Sequence, residues 1–310
     1  MIKLSIIVPC YYNELNIPVT TDVLIENEKR FSADVSFEYI MIDDGSGDGT
    51  LEALKKFQSC HKNVKIIKFT RNFGSYNAIT AGFEYATGDC LVTLSADLQD
   101  PPELIVQMFE YWQKGIKLVL ANRQDRDEPW TQKLFSNTYH KLIKKFALSN
   151  SPTGGFDLVL FDKQLQQDLL KIQEKNTNVL YLLLWLGYDY INIPYVRRKR
   201  DIGVSRWTFS KKIKLFVDSF VSFSYLPIRA ISVLGIALGF VAVSYGVYIL
   251  ACKMLGLVDV RGWTTMMIVF LFVSSFQMIS LGVIGEYVWR SLDASRKRPN
   301  YVIDEVLDGN

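Results

Sequence analysis

The first ~200 residues alternate between short apolar runs and longer stretches in which apolar positions recur at helical spacing. The apolar runs predict five strands, over residues 4–9, 37–42, 64–69, 90–94 and 117–121. The stretches between them predict helices over residues 16–30, 50–60, 75–86 and 102–114. Strands that alternate with helices form a mostly parallel sheet covered on both faces. The pattern therefore predicts an α/β domain in this part of the chain.

Two long apolar runs without a charged residue lie near the C-terminus, over residues 230–252 and 262–285. At about 1.5 Å per residue, a helix over either run would cross the ~30 Å hydrocarbon core of a bilayer. Buried core helices are the alternative, but such helices are usually shorter and carry some charge. The linker between the runs is short, so we predict a transmembrane hairpin.

Basic residues are concentrated outside the predicted hairpin. The linker carries only Lys253 and Arg261. The outer flanks carry Arg206, Lys211, Lys212, Lys214 and Arg229 on one side and Arg290, Arg296, Lys297 and Arg298 on the other. Because basic flanks stay on the cytoplasmic side of a membrane, we expect a multi-pass protein of the inner (cytoplasmic) membrane with both termini in the cytosol.

A third pattern lies between the α/β domain and the hairpin. Apolar residues recur there at helical spacing, at Phe209, Ile213, Phe216, Val217 and Phe220. This stripe is typical of a helix in the membrane interface, although a helix packed on a soluble domain has the same pattern. We therefore divide the chain into a cytosolic domain (1–207), a juxtamembrane amphipathic helix (208–229), the hairpin (230–285) and a cytosolic tail (286–310).

Composition narrows the class of protein further. The chain has 310 residues, of which 22% are charged, and a formal net charge of +3. This charged fraction suits a soluble protein, whereas the mean hydropathy of +0.11 is high for one. These values exclude a disordered chain, and the four cysteines show no paired spacing that would indicate disulfides or a cysteine metal site. The N-terminal apolar stretch ends at Pro9 without a cleavage site, so we expect no signal peptide.

Polar residues follow four of the predicted strands, at residues 11–14, 43–46, 71–74 and 95–100. Turn chemistry explains any one such cluster, because Asp, Asn and Gly suit caps and tight turns. Four clusters after four strands are better explained by a ligand site, since parallel strands bring their carboxyl ends to one edge of the sheet. Carboxylates at that edge suit a hard divalent cation and a nucleotide. The chain has neither a P-loop nor a GxGxxG motif.

These clusters resemble the motifs of the family-two glycosyltransferases of GT-A fold. The matching segments read IIVPCYYNELNI, IDDGSGDGT, TRNFGSYNAITAGFEYATGD and SADLQDPPEL, in that order. Within the family, the chain resembles the polyprenyl-phosphate glycosyltransferases, the group of dolichol-phosphate mannose synthase and the bacterial undecaprenyl-phosphate glucosyltransferases. The tail LGVIGEYVWRSLDASRKRPNYVIDEVL is similar to the bacterial members, which carry two C-terminal spans. The resemblance covers nearly the whole chain.

The resemblance implies a donor site and a metal site. The residues that would hold the uridine of a UDP-sugar are Pro9, Tyr11, Glu14 and Asp44, with Asp43 nearby. Asp97 matches the second acid of the family's DxD motif and would bind Mg²⁺ or Mn²⁺, helped by Gln99. The chain departs from the motif at Ser95, where the first acid is usual, so the metal has one carboxylate fewer.

The resemblance also implies residues for the acceptor and the phosphates. Asp157, in the segment TGGFDL, matches the catalytic acid of the family, and we expect it to act as base or positioning group. Arg200, Ser205 and Arg206 fit the family pattern R-x-x-G-x-S-[KR], and the resemblance implies that this segment would cover the diphosphate and the lipid phosphate. A polybasic membrane anchor is the alternative for this segment. Arg71 and Arg123 are further candidates for the phosphates, or else surface ion pairs.

The resemblance implies inverting transfer of a hexose, most often glucose, from a UDP-sugar to undecaprenyl phosphate, in cell-envelope or O-antigen modification. It also implies a bilayer-bound homo-oligomer, and we expect no nucleic-acid partner. A processive polysaccharide synthase is a second reading, but it requires a QxxRW motif, and the stretch at 203–207 lacks the glutamine. A non-catalytic membrane scaffold is a third, favoured only by Ser95.

Overall fold

The computed structural model describes residues 1–125, 141–148, 150–152, 155–172, 174–198, 209–255 and 262–309. The strands are β1 (Ile2–Cys10), β2 (Val35–Asp43), β3 (Val64–Phe69), β4 (Cys90–Thr93), β5 (Leu118–Asp125), β6 (Phe156–Asp162), β7 (Tyr190–Val196) and β8 (Ile303–Asp308). The helices are α1 (Ile17–Glu28), α2 (Thr50–Cys60), α3 (Ser75–Tyr85), α4 (Leu104–Gln113), α5 (Lys163–Leu170), α6 (Val179–Trp185), α7 (Phe209–Phe223), α8 (Leu226–Met254) and α9 (Trp263–Ser295). Two compact units result, one of Met1–Ser219 with Pro299–Asn310 and one of Phe220–Arg298.

The first unit is built on one mixed sheet with the strand order β7-β5-β6-β4-β1-β2-β3-β8. The strand pairs β1–β2, β1–β4, β2–β3 and β5–β7 are parallel. Strand β6 runs antiparallel to both β4 and β5, and β8 runs antiparallel to β3. The five predicted strands and four predicted helices are confirmed, and the α/β class with them. Strands β6, β7 and β8 were not predicted.

The central strands are mostly apolar because both faces of the sheet are covered. In β1 and β2, the side chains of Leu4, Ile7, Ile40 and Met41 have no exposed surface. Helix α3 packs so closely on this sheet that a Cβ at Gly82 would lie 2.3 Å from Cγ2 of Ile7. A glycine is required there because any larger residue would push the helix off the strand.

The sheet order brings one end of β6 to the edge where β1, β2, β3 and β4 end. Because β6 is antiparallel to β4, the start of β6 lies beside the end of β4. The hydroxyl of Thr93 donates to the carbonyl oxygen of Asp157 at 2.8 Å and fixes this junction. The edge predicted to carry the site therefore also carries Asp157.

Strand β8 extends the sheet beyond β3, although it follows the two apolar helices in the chain. It covers the free edge of β3, and an ion pair of 3.2 Å joins Lys65 to Asp308. Just before the strand, the ring of Tyr301 stacks on Phe69 with 4.8 Å between centroids. The Tyr301 hydroxyl donates to Oε2 of Glu84 at 2.5 Å. These contacts tie the C-terminal residues to β3 and α3.

We expect Tyr301→Ala to lower the free energy of unfolding by about 2 kcal/mol, because it removes both the stacking and a hydrogen bond to a carboxylate. Tyr301→Phe keeps the stacking and is expected to lose about 1 kcal/mol. Denaturant unfolding of the full chain in detergent measures both values. Unchanged stability in the alanine variant would contradict the role given to this residue.

The second unit contains the end of α7 and the whole of α8 and α9. Two helices of the described chain, Leu226–Met254 and Thr265–Ser295, are long and apolar enough to cross a membrane. Their apolar stretches are unburied by the rest of the protein. A soluble protein would bury such surface, so their exposure is what a membrane segment requires.

Candidate active site

Asp43 is the most enclosed acidic group at the carboxyl edge of the sheet. It is the last residue of β2, and its side chain has no exposed surface. Its Oδ1 accepts a hydrogen bond from the amide of Ser46 at 3.0 Å. Its Oδ2 is buried and has no hydrogen-bond partner among the described residues. Burial raises the pKa of Asp43 above its usual value.

Asp44 joins the end of β2 to the loop after β3. Its two carboxylate oxygens accept from the amides of Phe73 at 2.6 Å and Gly74 at 2.9 Å. The two loops touch at Gly45, where φ is +67° and a Cβ would lie 2.4 Å from the carbonyl carbon of Arg71. The Arg71 guanidinium lies 4.0 Å from the centroid of the Phe73 ring. Asp44 thus holds the loop that carries Arg71.

The residues after β1 pack against those after β2. The amide of Tyr12 donates to Oγ of Ser46 at 3.0 Å, and the amide of Gly49 donates to Oε2 of Glu14 at 3.1 Å. Pro9 lies in β1 beside Ile42, and Tyr11 follows the strand with its side chain half-buried. The segments that carry the candidate donor residues Pro9, Tyr11, Glu14, Asp43 and Asp44 therefore lie against one another.

Residues 95–99, which we call the acidic loop, follow β4. The hydroxyl of Thr20 in α1 donates to the carbonyl of Ala96 at 2.8 Å and anchors the loop. Leu98 has a φ of +51°, a conformation uncommon for a residue with a side chain. The turn lets the amide of Gln99 donate to Oδ1 of Asp97 at 3.3 Å. The loop thus holds the Asp97 carboxylate against the backbone of Gln99, whose side-chain Nε2 donates to the carbonyl of Arg198 at 3.3 Å.

Ser95, which stands where the family usually has an acid, makes a specific contact. Its hydroxyl donates to Oδ2 of Asp100 at 2.9 Å. Asp100 is 1% exposed and also accepts a hydrogen bond from the hydroxyl of Tyr195 in β7. Neither Asp100 nor Tyr195 was among the site residues predicted from the sequence. Asp100 lay within a recognised polar cluster, but Tyr195 is distant in sequence and carried no local signal.

Arg123 and Asp157 form an ion pair at the same edge. Arg123 lies near the end of β5, Asp157 lies at the start of β6, and the Arg123 guanidinium contacts Oδ2 of Asp157. The Arg123 side chain is 10% exposed and that of Asp157 is 46% exposed. The buried guanidinium therefore orients a carboxylate that remains accessible to a ligand.

The phosphate-binding candidates Arg200, Ser205 and Arg206 lie outside the described residues. The chain that leads to them leaves β7 beside the acidic loop. There, the amide of Arg198 donates to the carbonyl of Gln99 at 2.9 Å, and its guanidinium pairs with Glu103 at 3.1 Å.

The chemistry of the site is that of an oxygen-rich, acidic edge. Among the described residues, no group of three or more His, Cys, Asp or Glu side chains is placed to hold a metal ion by itself. The acidic loop offers one carboxylate and one amide side chain, Asp97 and Gln99. Mg²⁺ is bound in many enzymes by only one or two carboxylates, with phosphate oxygens and water completing its shell. The oxygen atoms of Asp97 and Gln99 therefore fit a hard divalent cation whose remaining ligands come from a bound phosphate and water.

The fold and this edge define an α/β enzyme whose ligands bind at the carboxyl ends of its strands. The sequence profile of Glycosyl transferase family 2 matches residues 5–170. The chain belongs to this family and is a glycosyltransferase, which confirms the resemblance and the GT-A type of fold that it implied.

Relatives extend over almost the whole chain. The uncharacterized glycosyltransferase YkcC of Bacillus subtilis is 34% identical over 305 residues, covering 98% of this chain and 94% of the relative. The prophage bactoprenol glucosyl transferase homolog of Escherichia coli is 32% identical and covers 98% and 99%. The bactoprenol glucosyl transferase of Shigella phage SfII is 30% identical and covers 99% of both chains.

Solved structures are more distant. The mannosyltransferase PcManGT from Pyrobaculum calidifontis has 20% identity and a TM-score of 0.44, covering 62% of this chain and 55% of that chain. The glucosyl-3-phosphoglycerate synthase from Mycobacterium tuberculosis has 17% identity and a TM-score of 0.45, covering 65% and 73%.

Proposed function

We propose that this protein transfers a hexose, with glucose as the first choice, from a UDP-sugar to undecaprenyl phosphate with inversion at the anomeric carbon. The observation that carries the proposal is the match to bactoprenol glucosyl transferases over 98–99% of the chain, including the apolar helices. A glycosyltransferase that acts on a water-soluble acceptor needs only the α/β domain. An enzyme that acts on a lipid acceptor must also stay at the membrane, because the lipid tail remains in the bilayer.

The donor would bind between the loops that follow β1, β2 and β3. A uracil ring presents one N–H donor, and the unpartnered Oδ2 of Asp43 is an acceptor without a protein donor among the described residues. Asp44, Glu14, Tyr11 and Pro9 complete the surface in this proposal. The donor would meet a surface that hydrogen bonds between the loops already hold in place.

Asp97 and Gln99 would hold Mg²⁺ or Mn²⁺ together with the donor diphosphate. When bound, the cation would neutralise charge on the leaving nucleoside diphosphate. The contribution of the chain is to fix the Asp97 carboxylate, through the turn at Leu98 and the anchor from Thr20. Arg71, on the loop that Asp44 holds, would add positive charge for the diphosphate.

The acceptor would approach Asp157 and Arg123. A phosphate monoester has a second pKa of about 6, so it is largely ionised at neutral pH and needs no strong base. Asp157 would therefore orient the nucleophile or accept its residual proton, while Arg123 holds the Asp157 side chain. In the proposal, Arg200, Ser205 and Arg206 bind the phosphates of both substrates.

For the membrane arrangement, we propose the sequence-based division: a cytosolic domain (1–207), an interfacial helix (208–229), a hairpin (230–285) and a cytosolic tail (286–310). The distribution of basic residues supports cytosolic termini and a place in the inner membrane. A homo-oligomer is part of the proposal and rests on the resemblance.

The function is tested by supplying radiolabelled UDP-sugars and undecaprenyl phosphate to the purified full-length protein in detergent. We expect label from UDP-glucose to enter the organic phase, and to be lost when EDTA is added. Label in a long insoluble polymer would instead indicate a processive synthase. No transfer from any donor with either metal would indicate a non-catalytic protein.

We expect donor affinity to fall as pH decreases, through the protonation of Asp43. Because burial raises the Asp43 pKa, its carboxylate is lost at a higher pH than the ~3.9 of an ordinary aspartate. The protonated group no longer offers a full acceptor to the base. Isothermal titration with UDP across pH measures this loss, and the midpoint is expected above ~3.9.

Asp43→Asn is the control for that measurement. It is expected to weaken UDP binding at neutral pH by at least ~10-fold, because a charged acceptor is removed. Its remaining affinity should no longer show the acidic step. An unchanged step in this variant would assign the titration to another group.

A further inference from the structure

Asp100 is a buried carboxylate for which the proposed function has no use. It is 1% exposed, and buried aspartates occur almost only where partners satisfy their charge. Three groups surround it: the Ser95 hydroxyl at 2.9 Å, the Tyr195 hydroxyl, and Nε of Arg197 at 3.6 Å. One partner belongs to the acidic loop, Tyr195 belongs to β7, and Arg197 follows the end of that strand. Asp100 therefore fastens the acidic loop to that strand.

Tyr195 continues the connection towards Asp157. The side chain is 6% exposed, and while its hydroxyl donates to Asp100 it accepts from Nε of Arg123 at 3.4 Å. Burial, with the nearby Asp100 charge, raises the Tyr195 pKa, so the phenol stays protonated and can do both. Arg123 in turn pairs with Asp157.

We propose that Asp100 and Tyr195 are positioning residues that hold the acidic loop and the Arg123–Asp157 pair in fixed relation, and that Ser95 is a required partner of Asp100. A continuous series of hydrogen bonds and ion pairs runs through Ser95, Asp100, Tyr195, Arg123 and Asp157. It joins β4, β7, β5 and β6. The inference rests on the proposed function. That function places the metal ion beside the Ser95 end of this series and the acceptor phosphate beside the Asp157 end.

The same series explains why a serine suits position 95. An aspartate at this partly exposed position would set a second carboxylate beside the buried Asp100, and like charges so close together repel. The serine instead donates a hydrogen bond to the carboxylate that is already buried. Ser95 is then the hydrogen-bonding partner of Asp100 at the start of the acidic loop.

A double-mutant cycle on the full-length protein tests the pairing, with Ser95→Asp, Asp100→Asn and the double variant. We expect Ser95→Asp to weaken Mn²⁺-dependent UDP binding by roughly tenfold, and the double variant to recover most of that loss, as coupled neighbours do. Thermal unfolding of the same variants should show the same coupling. Additive effects in both measurements would overturn the proposal.

The variant Tyr195→Phe distinguishes a role of Tyr195 in positioning Arg123 and Asp157 from a role in the stability of the fold alone. It keeps the ring and removes the hydroxyl, so we expect kcat to fall by roughly tenfold with little change in donor KM. Unchanged kcat in this variant would overturn the role of Tyr195. Absence of transfer by the wild type would refute the proposed function alone, since UDP binding and unfolding still test the pairing.

Discussion

Replacement of Asp97 by asparagine is expected to lower kcat/KM for sugar transfer by at least ~10²–10³-fold. The amide keeps the shape of the side chain and removes the only acid of the loop that the family motif assigns to the cation. The leaving diphosphate then loses most of its charge compensation. Initial rates of label transfer at saturating Mn²⁺ measure this effect.

Asp22→Asn is the matched control for Asp97→Asn. Asp22 is exposed on α1, the helix that anchors the acidic loop through Thr20. The control should keep wild-type rates and the same Mn²⁺ dependence. Near-normal activity of the Asp97→Asn variant would contradict the role of Asp97 in sugar transfer.

Replacement of Asp157 by asparagine is expected to lower kcat by ~10²-fold, at the lower end of the range for loss of an acid–base group. The phosphate acceptor is already ionised, so the carboxylate supplies orientation more than basicity. The donor KM should change little, because the Asp43 and Asp44 surface belongs to other loops. Single-turnover rates with saturating donor measure the effect.

Arg123→Lys tests the partner of Asp157. Lysine keeps the charge but cannot supply the planar guanidinium that pairs with Asp157 and donates to Tyr195. We expect a smaller loss of kcat than in Asp157→Asn, and non-additive losses in the double variant. Asp189→Asn, an exposed aspartate before β7, is the control and should have no effect. Additive losses would mean that the ion pair has no part in the reaction.

Much of the first unit follows from local patterns. Strands β1–β5 are short apolar runs bounded by turn residues, and their alternation with helices is sufficient to predict a buried, mostly parallel sheet. The polar clusters then fall at one edge because parallel strands end together. This is why the clusters that contain Asp43, Asp44 and Asp97 could be located from the pattern, whereas the roles of these residues came from the family resemblance.

The antiparallel additions could not be predicted in this way. The pairing of β8 with β3 joins Lys68 to Asp304, and no local pattern specifies a partner so distant along the chain. The contact of Asp100 with Tyr195 depends on the order of strands in the sheet. Arg123 and Asp157 were both candidates, but only the placement of β6 beside β5 makes them partners.

Ser95 shows how a departure from a motif can be understood from its contacts. From the sequence alone, the serine weakened the expected metal site and favoured a non-catalytic protein. Its hydrogen bond to Asp100 gives it a partner that an aspartate at the same position would repel. The departure is therefore compatible with an intact site.

The measurement that tests the central claim most directly is mass analysis of the lipid extract after reaction of the full-length protein with UDP-glucose, undecaprenyl phosphate and Mn²⁺. We predict undecaprenyl phosphate carrying one hexose, formed by the wild type and by Asp22→Asn but not by Asp97→Asn. Hydrolysis of the UDP-sugar without a glycosylated lipid, or equal product from the Asp97 variant, would contradict the account.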